Sequence, residues 1–315
     1  MPRKPKPSRD DLVAFLSRGL EMMVRDDIKE ELADKEKTQK PGARLIELQR
    51  AEWEPLGYDA DVGCEALNNV DGDYSEDAEL KEMRDQYIVQ AMRSYLAALE
   101  DRRPADLERS RPMPKAVIFE FMDACNTKMD MPEFKEQLLS HVQEHMSPPN
   151  AIIVEAQRDL LEVLGWERDH GCECLTNAAK GADKAMQQKF QQWQWKATQT
   201  CQAAVQSAAI AASKALTSAL GEDVRAEALG TLQSMKADEC EALLKQWAAK
   251  IKIIMRLKDD AREAYVKKMS REDRVQLAMA QQLGAKAVQE GMAQAAAQKE
   301  SAGYPTAKPV QQQMM

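Results

Sequence analysis

Apolar side chains recur three and four positions apart along most of the chain, which is the spacing of one face of an α-helix. The first such stretch contains Leu12, Phe15 and Leu16, and Ser8 with Asp11 supplies the residues of a helix start. Residues with high strand propensity come only in short runs. The pattern therefore predicts an all-α protein.

The same spacing and the helix-ending residues predict the next elements. Helices are expected over 26–36, from Pro41 to about Leu56, and over 76–100. Gly57 stands where a glycine C-cap belongs, because glycine adopts the left-handed conformation without steric cost. Asp61 is the predicted cap of a short helix that follows Gly57.

A 27-residue segment occurs twice in the chain. Residues 43–69 (ARLIELQRAEWEPLGYDADVGCEALNN) align with residues 151–177 (AIIVEAQRDLLEVLGWERDHGCECLTN) at an offset of 108, and 13 of the 27 aligned residues are identical. We call these segments box 1 and box 2. The flanking helices repeat at an offset of 106, since residues 134–138 match 28–32. The sequence thus predicts a tandem duplication of a helical unit.

The predicted organisation has five parts. They are a disordered arm over 1–9, a first repeat unit over 10–103, a second over 114–221, a long helical extension over 222–300 and a disordered tail over 301–315. In the extension, one or two long helices are expected over 223–269, and Ser270 with Asp273 forms a capping box for another.

Composition and charge exclude several classes of protein. A hydrophobic content of 44% and a charged content of 30% are globular values. The 44 basic and 52 acidic residues give a net charge of −8, which would repel a polyphosphate, so nucleic-acid binding is not expected. No apolar run approaches the ~18 residues of a membrane span. The six cysteines lack framework spacing and follow no secretory leader, which favours reduced thiols and a cytoplasmic location.

Catalysis is not expected. The chain has no Walker loop, no Rossmann glycine pattern, no nucleophile elbow and no HExxH motif. Cys64 and Cys172 occupy the same place in the two boxes, but a catalytic cysteine needs a base, usually histidine, and none lies in the first unit. We predict buried thiols, no enzyme and no cofactor.

Two groups of residues have side chains of the types that bind metal ions. One is the histidine and cysteine set of the second unit: His141, His145, His170, Cys172 and Cys174. Their side chains suit zinc, but the spacing matches no zinc motif. Solvated histidines beside buried thiols are the plainer interpretation.

The other is the acidic stretch 71–82, which has oxygen ligands at the loop positions used by an EF-hand. They are Asp71, Asp73, Ser75, Asp77, Glu79 and Glu82. The stretch departs from that motif because Glu76 replaces the glycine of the turn and Ala78 replaces a larger apolar residue. A polar helix-capping turn is the favoured reading, and no metal is assigned.

One arginine stands at the same aligned position in both boxes. Arg50 and Arg158 are expected to be structural arginines paired with Glu54 and Glu162 at the i+4 position, or contacts to an anion or a partner protein. The aromatic residues Tyr58 and Trp166 are expected to plug a core with a polar tip, or to contact a ligand.

The segment 245–268 interleaves basic and apolar residues, with Lys250 and Arg256 among the former. A basic amphipathic helix can dock on a partner helix, on an acidic membrane surface or in calmodulin. The alternative is an ordinary helix that packs its apolar face inside the protein.

The box pattern QRxxxExLG[YW], followed by GCE, resembles the N-terminal helical domain shared by dinoflagellate luciferase and luciferin-binding protein. The resemblance covers about 180 residues with the flanking helices. It implies an intracellular, non-catalytic helical module that binds a tetrapyrrole-derived ligand.

The sequence therefore favours a non-enzymatic scaffold protein that acts through protein–protein contacts. The alternative is a carrier of a small apolar ligand, with a cavity near Tyr58 in one unit and near Trp166 in the other.

Overall fold

A computed structural model of the chain describes residues 6–301, with the side chains of all of these except 259 and 287–301. Over this range the chain forms fifteen α-helices and one 3-10 turn and no strand, so the all-α prediction is confirmed for the described residues. Of the predicted arm and tail, residues 1–5 and 302–315 lie outside the described range. No helix within that range is long and apolar enough to cross a membrane.

The helices follow one another with short connections. The first six are α1 (Arg9–Val24), α2 (Asp26–Ala33), α3 (Pro41–Ala51), α4 (Ala60–Asn68), α5 (Val70–Asp73) and α6 (Ala78–Glu100), with the 3-10 turn Glu54–Leu56 between α3 and α4. The next five are α7 (Lys115–Asp130), α8 (Pro132–His145), α9 (Asn150–Val163), α10 (Arg168–Lys180) and α11 (Lys184–Leu220). The last four are α12 (Glu222–Ser234), α13 (Ala237–Met255), α14 (Asp259–Lys267) and α15 (Arg271–Ser301).

Box 1 differs from the prediction in two places. The helix expected to reach Leu56 ends at Ala51, because Pro55 has no N–H to donate and disfavours the helical conformation of the residue before it. Box 2 has Val163 in the place of Pro55, and its helix α9 runs unbroken to that residue. The cap of α4 is Asp59 rather than Asp61, since the Asp59 carboxylate accepts a hydrogen bond from the Asp61 N–H at 2.9 Å.

The extension also differs, because 223–269 contains three helices rather than one or two. α13 begins where the Glu239 carboxylate accepts from the Lys236 N–H at 2.8 Å. It ends where the Arg262 side chain donates to main-chain carbonyls near Met255. The start of α15 agrees with the prediction, since the Ser270 hydroxyl accepts from the Asp273 N–H at 3.0 Å.

The described residues divide into two compact units. The N-terminal unit comprises the chain up to Lys135 together with Asn150–Thr200, and the C-terminal unit comprises Glu136–Pro149 and the chain from Cys201. The helices α8 and α11 are therefore each shared between the units.

The core of the N-terminal unit is built around aromatic residues of α1, box 1 and α6. The ring of Phe15 stacks on Trp53 with centroids 3.8 Å apart, and Tyr87 approaches Phe15 at 5.6 Å. α7 and α11 repeat that contact with Phe121 and Trp193, also at 5.6 Å.

The C-terminal unit has a core of aliphatic side chains around one tryptophan. α12 and α13 both pack against α15. Trp247 of α13 is fully buried, and its indole N–H donates to the Gln276 side chain on α15 at 3.1 Å. The Gln281 amide ties α15 to α11, donating to the Ser213 carbonyl at 3.0 Å and to the Thr217 hydroxyl at 2.9 Å.

Candidate functional site

The two boxes turn the same corner. Gly57 and Gly165 both adopt left-handed backbone conformations, with φ of 81° and 91°. In each box the N–H of the aromatic residue after the glycine closes the turn: Tyr58 N donates to Trp53 O at 3.2 Å, and Trp166 N to Leu161 O at 2.8 Å. After the turn, both aromatic side chains lie in the protein interior.

A second glycine in each box allows close contact between helices. A Cβ atom at Gly63 would lie 2.2 Å from the Trp53 ring, and one at Gly171 would lie 2.9 Å from Leu161. The shared glycines are therefore explained by packing.

The aromatic residues proposed as ligand contacts are buried. Tyr58 is 8% exposed, and its hydroxyl donates to the Asp11 carboxylate at 2.7 Å. Burial, together with that carboxylate, raises the pKa of Tyr58 to about 12. Trp166 is 7% exposed and lies against the His170 ring with centroids 5.9 Å apart. Both residues are therefore core residues, and the polar tip of Tyr58 is hydrogen-bonded.

The connection between α6 and α7 pairs with the backbone of box 2. Glu108 N donates to Gly165 O at 2.8 Å, and Glu167 N donates to Glu108 O at 3.1 Å, which makes a short parallel bridge. The Glu108 carboxylate accepts from the N–H groups of Ser110 and Arg111, and these bonds hold its pKa well below the usual range. We call residues 104–112 the strap. Nothing in its sequence predicted this role.

The arginines of the boxes have partners other than those predicted. Arg50 pairs with Asp61, and Arg158 lies 3.6 Å from Asp169, the residue in the same place of box 2. The i+4 prediction was wrong for both. Pro55 breaks the helix after Arg50, and Glu162 instead accepts from Arg168 at 2.7 Å. Both arginines hold the box helices together and are half-buried.

All six cysteines are free thiols. Burial raises the pKa of the Cys64 thiol and, more strongly, that of Cys125, which disfavours thiolates at both positions. Within the histidine and cysteine set of the second unit, the His170 ring nitrogen lies 3.6 Å from the Cys174 sulfur. His141 and His145 contact each other in the C-terminal unit, with ring centroids 4.6 Å apart.

The acidic stretch 71–82 is occupied by basic side chains. Asp71 pairs with Arg84 at 2.8 Å, Asp73 pairs with Lys6, and Asp77 pairs with Arg9 while capping α6. Ser75 contributes its carbonyl oxygen to Lys81, and Glu82 accepts from Gln86 at 3.3 Å. In the described part of the chain, no three His, Cys, Asp or Glu side chains are grouped so that they could hold a metal ion.

The basic segment 245–268 comprises the second half of α13, a turn and α14. Its apolar face is largely internal, because Trp247 and Ile254 are fully buried. Ile253 faces outward and is 57% exposed. Lys250 and Arg256 are exposed, and the Lys250 ammonium lies 4.4 Å from the centroid of the Trp247 ring.

A groove of about 500 Å³ lies beside this segment. Its walls come from α12 and α13 and its floor from α15. The lining consists of apolar residues between polar edges: Met235, Leu243, Val275 and Met279, with Glu227, Thr231, Gln246, Arg271, Glu272 and Gln276. We call it the α13 groove. Tyr58 and Trp166 do not belong to its lining.

The described residues thus define an all-helical protein with two packed box corners and a groove in its C-terminal unit. The chain matches no protein-family model, no curated protein and no solved structure. The resemblance to the dinoflagellate luciferase domain stays a prediction.

Proposed function

We propose that the protein is a non-enzymatic scaffold protein that binds an acidic amphipathic helix of another polypeptide along α13. The observation that supports this most directly is the outward face of α13. Ile253 is a large aliphatic side chain that is 57% exposed, and it stands among Lys250, Lys252 and Arg256. Between residues 242 and 258 the chain has five basic residues and no acidic one.

The exposed isoleucine lies in line with the groove. Leu243, Gln246, Lys250 and Ile253 follow one another at spacings of three, four and three, so they share one face of α13. The first two line the α13 groove. A partner helix with apolar residues at i, i+3 or i+4 and i+7 would place one anchor in the groove and another on Ile253.

The charge distribution favours an acidic partner. Sixteen basic and thirteen acidic residues follow Thr200, a net charge of +3, whereas the first 200 residues carry −11. Lys245 already pairs with Glu241 of α13 at 2.6 Å, whereas Lys250 and Lys252 are exposed and can reach carboxylates of a partner. Such pairing contributes mainly to specificity and association rate.

We further infer that the chain arose by tandem duplication, with each copy keeping the same framework. Contacts at matching offsets support this. Arg9 pairs with Asp77 at the cap of α6, and Lys115 pairs with Asp183 at the start of α11, each residue 106 positions later. The Phe15–Tyr87 contact has its counterpart at Phe121–Trp193 at the same offset.

A binding assay with a designed peptide tests the proposed function. The probe is a fluorescein-labelled helix with leucine at the first and fourth heptad positions and glutamate elsewhere, titrated with the full-length protein by fluorescence anisotropy. Ile253→Asp should weaken binding at least about ten-fold, since it removes an apolar anchor and adds a like charge.

The matched control is Ile210→Asp on α11, because Ile210 is 59% exposed in the same unit and does not line the groove. It should leave the peptide affinity unchanged. Equal losses in the two variants, or no binding by the unmodified protein, would overturn the proposal.

A membrane surface is the competing occupant of the basic face. Co-sedimentation with phosphatidylserine vesicles that depends on Ile253, without binding of the acidic peptide, would replace the partner helix by a lipid surface. A peptide in which every glutamate is replaced by lysine should not compete with the acidic peptide for the protein. If it competes equally, the groove alone selects the partner and the charge argument fails.

The carrier alternative has less support at the place first predicted for it. Tyr58 is buried against the Trp53 ring and Trp166 against the His170 ring, and a Cβ atom at Gly63 or Gly171 would clash with Trp53 or Leu161 of the same box. The proposal above therefore rests on the C-terminal unit.

A further inference from the structure

The C-terminal unit contains a second concavity, of about 350 Å³. Its lining comes from the end of α8, the middle of α11 and the turn between α13 and α14. Its apolar lining includes Ala208, Ala211, Ala212, Met255 and Leu257, and Arg262 lies beside them. None of these lines the α13 groove, so the two features are independent.

Small side chains leave the space open. Ala208, Ala211 and Ala212 stand at i, i+3 and i+4 on α11 and present only methyl groups to the cavity. Met255 and Leu257 supply the opposite apolar wall. The volume lies near the lower end of the ~300–1,000 Å³ typical of small-molecule sites, so a ligand here would be small.

A buried arginine forms part of the wall. Arg262 is 4% exposed, and its guanidinium donates to the carbonyls of Ile254 at 3.2 Å and Leu257 at 2.6 Å. These bonds fix the side chain at the cavity wall. Lys258 is exposed at the same wall and adds a second positive charge. The acidic lining residues Glu144 and Asp260 are both exposed to solvent.

The cavity also holds a strained residue. Met146 has a φ of 52°, and no other non-glycine residue of the described chain has a positive φ. A side chain in the left-handed region is strained by contact of its Cβ atom with the backbone, and glycine would avoid this strain. Residues kept in such conformations cluster at ligand clamps, and here the methionine side chain belongs to the cavity lining.

We propose that this cavity binds a small apolar carboxylate, with its hydrocarbon part between the alanines of α11 and Met255 and its carboxylate beside Lys258. The alanine and methionine walls select an unbranched or flexible apolar body, because methionine adapts to irregular shapes. The exposed ammonium of Lys258 selects the negative head group, and the buried positive charge of Arg262 reinforces that preference.

Calorimetric titration of the full-length protein with octanoate, and with 1-octanol as the uncharged counterpart, tests the proposal. Octanoate should bind with a negative heat-capacity change, the mark of apolar burial. Ala211→Phe should abolish binding, because Ala211 is exposed at the cavity wall and a larger side chain there fills the space without disturbing the core. Ala209→Phe, on an exposed position of α11 outside the lining, is the matched control and should bind normally.

Lys258→Ala should weaken octanoate binding about ten-fold and leave octanol binding unchanged, whereas Lys252→Ala should change neither. Octanoate that fails to bind, or that binds Ala211→Phe as well as the unmodified protein, overturns the site. Equal affinities for octanoate and octanol overturn the assignment of a carboxylate.

This inference and the proposed function are tested separately. Ile253→Asp should not change the affinity for octanoate, and Ala211→Phe should not change the affinity for the acidic peptide.

Discussion

Gly63 packs against Trp53 in box 1, and no side chain larger than hydrogen fits there without a shift of the ring. A methyl group at Gly63 would overlap the indole, which is itself clamped by the Phe15 ring on its face. Gly63→Ala should therefore lower the free energy of unfolding by about 1–3 kcal/mol, the usual cost of overpacking. Urea denaturation followed by circular dichroism would measure it.

The control for that variant is Gly230→Ala in α12, where nothing lies within 4 Å of the added methyl group. It should increase stability by roughly 0.5–1 kcal/mol, since alanine favours the helix interior. Similar losses for both variants would mean that Gly63 is needed for backbone freedom and that the contact with Trp53 is incidental.

Met146→Gly is a second prediction for a single residue. Glycine relieves the left-handed strain at the end of α8 while keeping the hydrogen bond from the residue 146 N–H to Val142 O, so stability should rise by about 0.5–1 kcal/mol. Ser147→Gly, one position later, should give no such gain. If Met146→Gly were destabilising, the side chain would contribute more through packing than the strain costs.

Asp77 gives a prediction for acid stability. The Arg9 guanidinium and the Leu80 N–H lower the pKa of the Asp77 carboxyl in the folded protein. A lowered folded pKa adds stability above the unfolded value of about 3.9, and that stability is lost as the pH falls through the folded pKa. Asp77→Asn should thus be less stable than the unmodified protein at pH 7, and the difference should shrink below pH ~4. Glu76→Gln, which removes one negative charge beside the cap and leaves the cap in place, is the control for the change in net charge.

At the level of elements, the helix ends show what the sequence could and could not specify. Ends set by local chemistry were predicted, as for Pro41 at the start of α3, Gly57 at the corner of box 1 and Ser270 with Asp273 at the start of α15. The end of α13 depends instead on Arg262, which lies in the next helix, and no local pattern marks it. The strap was missed for the same reason, because its bonds to box 2 join residues far apart in sequence.

Arg262→Met should destabilise the C-terminal unit by about 2 kcal/mol or more, because buried carbonyls at the end of α13 would lose a charged donor. Hydrogen exchange of amides in the last turns of α13 would locate the effect. Arg262→Lys keeps the charge but lacks the forked donors, so it should recover little. Full recovery with lysine would mean that charge alone holds this turn.

At the scale of the whole molecule, the residues after Thr200 carry a net positive charge and the first 200 residues a net negative one. Attraction of an acidic partner to the positive part is electrostatic, so its binding should depend on salt. Raising the ionic strength from about 50 to 500 mM shortens the screening length to a few ångströms, which should weaken the acidic peptide several-fold. The apolar part of the contact should persist, so binding should level off rather than vanish. An affinity indifferent to salt would remove the basic face of α13 from the contact.

The strap also bears on how the chain can be divided into fragments. Residues 104–112, with prolines at both ends, look like the natural place to separate the two repeats for independent expression. A cut there would remove the backbone that bonds to Gly165 and Glu167, and the Arg111 carbonyl that lies 2.9 Å from the His170 ring nitrogen. A second-repeat fragment should therefore begin before Pro104, and one that begins at Met113 should be less stable because the corner of box 2 lacks these bonds.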